Sequence, residues 1–167
     1  MIVLSKYIEN SIKKDRLRFI KNKMSSNLIL LAIVANALYF VSIYRTDVGS
    51  YYYKIFIGAS IVYNLVFMLI AFLCSEGIKN YKASYGYMMI VLGVIQLFRI
   101  TIYPMKAYNA VVTIQEQSVA VMSQGQYMRV MLYLALSAAC LFAGAVIGIS
   151  RSRALAAHIA SLDSKAA

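Results

Sequence analysis

Four residues with strongly hydrogen-bonding side chains stand inside apolar sequence, where such groups are costly: Asn36, Asn64, Gln96 and Arg99. Each of the three amides falls within two residues of the middle of a long oily stretch, near Val34, Leu65 and Val94. If those stretches run side by side, the amides meet at one depth. There they can hydrogen-bond from helix to helix, each contact worth about 0.6–2 kcal/mol, or line a polar constriction or substrate site. Arg99 follows Gln96 by three residues and shares its helix face, which Tyr103 continues. A guanidinium this close to the end of its stretch can snorkel to lipid headgroups. Turned inward it can instead bind an anionic group, and with Lys106 and Arg129 it would form a positive outer mouth.

Most reaction chemistry has no residues to carry it. No Asp or Glu lies inside the oily stretches, which argues against carboxylate-driven proton exchange. The lone histidine, His158, lies outside them and is expected to be solvated, so paired histidines cannot hold a haem within one chain. Cys74 and Cys140 form no Cys-x-x-Cys pair and cannot build a disulfide scaffold. No P-loop, His-Glu-x-x-His or paired-glycine nucleotide motif occurs. No catalytic residue, metal or cofactor is expected.

The elements that must position the polar residues follow from where charge is missing. Lys23, Lys54 and Arg129 are each followed by 21 uncharged residues, ending at Arg45, Glu76 and Arg151. A fourth stretch, Ala83 to Met105, is broken only by Arg99. As helices these runs would each be roughly 30 Å long, the thickness of a bilayer's hydrocarbon core. Helices satisfy their own backbone in lipid, and Leu28-Ile29-Leu30-Leu31-Ala32-Ile33-Val34 lacks the alternation of a barrel strand. The composition agrees: 62% hydrophobic, 14% charged, mean hydropathy +0.70, far from the usual water-soluble balance. The first stretch is too long for a signal h-region and ends on Ser42-Ile43-Tyr44, without a small-residue cleavage site.

The expected fold is an all-α membrane protein, a four-transmembrane-helix bundle with an N-terminal basic amphipathic segment. Its parts are a cytoplasmic segment 1–24, a four-span domain 25–150 and a cytoplasmic tail 151–167. The spans are expected at about 25–44, 55–75, 84–104 and 129–150, with an outer loop at 105–127. Outside the spans, twelve Lys and Arg residues fall on the side of the N-terminal segment, the second loop and the tail, against four on the other. Positive loops stay cytoplasmic, which puts both termini inside. The net charge of +11 is explained by that bias, and no motif suggests nucleic acid as a partner.

Residues Lys13, Lys14, Arg16, Arg18, Lys21 and Lys23 could meet an anionic inner leaflet, while Leu4, Ile8, Ile12 and Phe19 share a helical side that Asp15 interrupts. Such a segment would lie on the leaflet, at about 1 kcal/mol per basic residue near the surface, or serve only as a topology signal. The outer loop reads as two short strands around Gln115-Glu116-Gln117 or as a helix through Val111, Ile114, Val119 and Met122. The tail is expected to extend the fourth helix before fraying.

Cys140, Gly144 and Gly148 form a row of small residues spaced by four, which lets helices approach closely, in another chain or within this one. The leading functional expectation is a non-enzymatic, oligomerising subunit of an inner or plasma-membrane assembly, able to form a pore. Its partners would be further copies or larger membrane-complex subunits. The alternatives are a channel or transporter using the midplane amides and Arg99, and a small integral enzyme for a lipophilic substrate.

Overall fold

The computed structural model describes residues 12, 15, 19–43, 51–102, 104–109, 111–114, 117–120 and 122–166, with side chains left undescribed at 51–57, 106, 111–114, 117–120 and 165–166. Four long helices dominate: α1 (Lys23–Ile43), α2 (Tyr51–Lys79), α3 (Ala83–Ile102) and α5 (Gln124–Ala166). A short helix α4 (Pro104–Asn109) and an antiparallel hairpin, β1 (Val111–Ile114) and β2 (Gln117–Ala120), fill the loop before α5. Each long helix contains a stretch long and apolar enough to cross a membrane.

Neighbouring helices run antiparallel. α1 packs on α5 and α2, and α3 packs on α5 and more thinly on α2. In α1 the buried positions are Ser25, Ser26, Ile29, Ala32, Ala35, Asn36, Tyr39 and Ile43, mostly a three-and-four spacing that puts one face inward. Leu30, Leu31, Val34, Leu38 and Val41 face outward. Polar residues inside and large apolar residues outside is the reverse of a water-soluble helix.

The α1–α5 seam carries a ladder of polar contacts. Ser137, Gly144, Arg151 and His158 recur every seven residues, so they line one side of α5. Ser137 Oγ donates to Ala32 O at 3.0 Å, and Gly144 O accepts from Ser25 Oγ at 2.5 Å. Arg151 Nη1 donates to Asn22 Oδ1 at 3.0 Å, and His158 Nε2 lies 2.8 Å from the accepting Asp15 carboxylate. His158 is therefore not solvated as expected: it is 9% exposed, because the extended α5 lays it against the segment before α1.

The small-residue row is used inside the chain. A side chain at Gly144 would meet Met89 and the Ser25 carbonyl, one at Gly148 would meet Ile78, and Cys140 is buried in the apolar core. The closeness that such rows permit serves the packing of α5 against α1, α2 and α3. The turn between α2 and α3 closes with Lys82 N–H donating to Gly77 O and Tyr81 N–H donating to Ile78 O, a Schellman arrangement. Tyr81 sits there at φ 59°, where glycine is usual. Its hydroxyl donates to Ile20 O at 2.8 Å, fixing the lead-in to α1. Burial raises the Tyr81 pKa and the Arg151 charge opposes that rise.

Two glycine substitutions separate packing from propensity. Gly144→Leu should lower the stability of the detergent-solubilised protein by about 1–3 kcal/mol through overpacking. Gly58→Ala adds a methyl where nothing lies within 4 Å and should leave stability unchanged or raise it by up to about 1 kcal/mol. Thermal unfolding of the helical signal in nonionic micelles reads both.

Candidate functional site

The three amides do meet. Asn36 of α1, Asn64 of α2 and Gln96 of α3 are each 0% exposed. Asn36 Nδ2 donates to Asn64 Oδ1 at 3.1 Å, and Gln96 Nε2 donates to Asn36 Oδ1 at 3.1 Å. Gln96 Nε2 also donates to Ser137 Oγ at 3.1 Å, which draws α5 into the network. Asn64 Nδ2 donates to Ser60 O, one turn earlier in α2, at 2.9 Å. Polar groups from all four long helices thus satisfy one another, as burial in an apolar interior requires.

Arg99 turns inward. It is 7% exposed, and its Nη1 donates to Asn36 Oδ1 at 3.1 Å and approaches Gln96 Oε1 at 3.5 Å. Nη2 makes a long contact, 3.4 Å, with Ser60 Oγ. Its Cζ lies 4.3 Å from the ring centre of Tyr39 and 4.6 Å from that of Tyr63, within cation–π range of both. Every one of these partners is neutral. Of the described carboxylates, Asp15 pairs with His158, Glu76 pairs with Lys79, and Asp163 lies far along α5. A guanidinium has five N–H donors, and these contacts occupy three.

Beside Arg99 lies a cleft of about 270 Å3 between α2 and α3, lined by Ala59, Ser60, Tyr63, Ile95, Phe98, Arg99 and Ile102. Its walls are apolar. The Tyr63 hydroxyl is buried and has no partner among the described residues. The cleft lies where α2 and α3 are thinly packed, and Phe98 and Ile102 on its rim are exposed.

Of the residues expected to form a positive mouth with Arg99, Arg129 lines a different recess, of about 230 Å3, with Leu38, Ser42 and Gln126, and its Nε donates to Gly125 O at 3.2 Å within the first turn of α5. Lys106 lies on α4, and its side chain is outside the described residues. So are Lys13, Lys14, Arg16 and Arg18, while Lys21 and Lys23 are exposed beside the start of α1.

Ser60, Tyr63, Tyr39 and Ser137 belong to the site but were not singled out from sequence. A helical-spacing signal existed for two of them: Ser60 precedes Asn64 by four, and Tyr39 follows Asn36 by three. Tyr63 adjoins Asn64 in sequence, a separation that does not mark a shared face. Ser137 sits in an α5 stretch whose other residues are mostly small and apolar, and nothing local marks it. Among the described residues no group of three His, Cys, Asp or Glu comes together as a metal would need. No protein-family model, curated protein or solved structure matches this chain.

The network predicts a specific pattern of stabilities. Asn36→Leu removes the acceptor shared by Gln96 and Arg99 and should destabilise by about 1–3 kcal/mol, because it leaves buried donors unmet. Adding Arg99→Leu to that variant should recover most of the loss, since the unmet cation goes with it. Denaturation of the two variants in mixed micelles measures this.

Proposed function

We propose that this chain is a non-enzymatic, multi-pass membrane protein that recognises an anionic group in the outer half of the bilayer through Arg99, as a transport protein's substrate site would. The observation that carries the reading is a buried guanidinium whose partners among the described residues are all neutral. A cation retained there adds little stability over an apolar side chain, so its retention points to a ligand. The membrane setting is supported by the four long apolar helices, the outward-facing Leu, Val and Phe residues, and the bias of Lys and Arg to one end.

Both termini face the cytoplasm in this reading. The contacts of Asp15 with His158 and Asn22 with Arg151 support that, since they bring the N-terminal segment and the end of α5 to one end of the helices. The basic residues from Lys13 to Lys23 then face the anionic inner leaflet. The cytoplasmic half of the interior is filled by Phe67, Ala71, Cys74, Met89 and Leu141, so recognition from the outer side is favoured over an open pore.

Thermal unfolding in nonionic micelles with added chloride, acetate or inorganic phosphate tests this. At least one should stabilise the protein, by about 2.7 kcal/mol at a hundredfold excess over its Kd, and Arg99→Leu should abolish the rise. A rise that persists in Arg99→Leu, or no rise with any anion, overturns the reading.

A second reading, membership of a homo-oligomer or larger membrane complex, draws on the loop hairpin rather than on the row of Cys140, Gly144 and Gly148. β1 and β2 form a two-stranded sheet, and strand edges accept further strands. The mass of the protein in mild detergent should then be a multiple of 18.7 kDa or include another polypeptide. A single-chain mass rejects it.

A further inference from the structure

We infer that the cleft between α2 and α3 holds a long-chain fatty acid drawn from the outer leaflet, its carboxylate on Arg99 and the upper part of its chain between the helices. This rests on the reading of Arg99 as an anion site and specifies what that site takes.

The cleft asks for one anionic group and an apolar body. Its polar contribution comes from the guanidinium, Ser60 and Tyr63, and its walls from Ile95, Phe98 and Ile102. A small hydrated anion would lose its water there and gain nothing from those walls. An amphiphile buries its chain against them, at about 0.8 kcal/mol per methylene. Entry is lateral, because Phe98 is 65% and Ile102 53% exposed at the rim while Arg99 is 7% exposed at the floor.

Depth and donor count favour a carboxylate over a phospholipid head. Arg99 lies three residues before the end of α3, about 4.5 Å along the helix, so a head must sink nearly one turn to reach it. A carboxylate can do so alone. A phosphodiester would bring its glycerol and a second chain into a slot of about 270 Å3. The two guanidinium N–H donors left without an acceptor among the described residues match the two oxygens of one carboxylate, and Tyr63, whose buried hydroxyl has no partner among the described residues, lines the same cleft.

The experiment uses the full chain in nonionic micelles, titrated with oleate, methyl oleate, acetate, inorganic phosphate and phosphatidylglycerol, and read by thermal shift and by native mass spectrometry. Oleate should bind one per chain, at least tenfold tighter than acetate or phosphatidylglycerol, and methyl oleate should not bind. Arg99→Gln should weaken oleate tenfold or more. Ala59→Phe, which fills the cleft from its α2 wall without touching the network, should weaken oleate and spare acetate. That second variant keeps the test decisive if Arg99→Gln fails to fold. Equal affinity for oleate, acetate and phosphate overturns the fatty-acid assignment while leaving Arg99 as an anion site, and tighter binding of phosphatidylglycerol does the same in favour of a lipid phosphate. Stability that no anion raises overturns both.

Discussion

A hydrogen-bonding group removed from water must find a partner in the protein, and at the centre of this molecule that requirement falls on Asn36. Its carbonyl oxygen accepts from both Gln96 and Arg99, and its amide nitrogen donates to Asn64. Three helices are thereby tied at one point, and Ser137 adds the fourth through Gln96. Apolar contact alone would leave such helices free to rotate, because they are oily on nearly every side. The network selects one rotation for each, and that rotation carries Arg99 to the floor of its cleft.

The same arrangement explains why the site is polar yet nearly dry. Below it, Phe67, Ala71, Met89 and Leu141 close the interior. Beside it, Tyr39 and Tyr63 present ring faces to the cation, a form of charge stabilisation that introduces no competing anion. A carboxylate in place of either ring would neutralise Arg99 permanently. Amides, hydroxyls and rings hold the guanidinium in position and leave its charge unspent.

How much of this was legible in the sequence depends on what kind of information each feature needs. The four long helices follow from charge-free runs, and the start and end of α1 fall within two residues of the expected limits. The shared depth of Asn36, Asn64 and Gln96 follows from counting. Their partners do not, since spacing tells which residues share a face and not which helix that face meets. For the same reason the row at Cys140, Gly144 and Gly148 left open whether it packs within the chain or against another. His158 was misjudged because its burial comes from a residue 143 positions away. The loop before α5 fitted strand and helix periods equally, and its backbone is a hairpin.

The seven-residue recurrence on α5 has a mechanical corollary. Ser137, Gly144, Arg151 and His158 grip the chain from Asp15 to Ala32 like teeth of a rack, and α5 continues without interruption for 43 residues. Sliding α5 along α1 would disengage all four teeth together, so the two should travel as one rigid stave. α2 leans on the stave chiefly through α1 and is thinly joined to α3, so the cleft beside Arg99 lies along the most sparsely packed seam between the long helices.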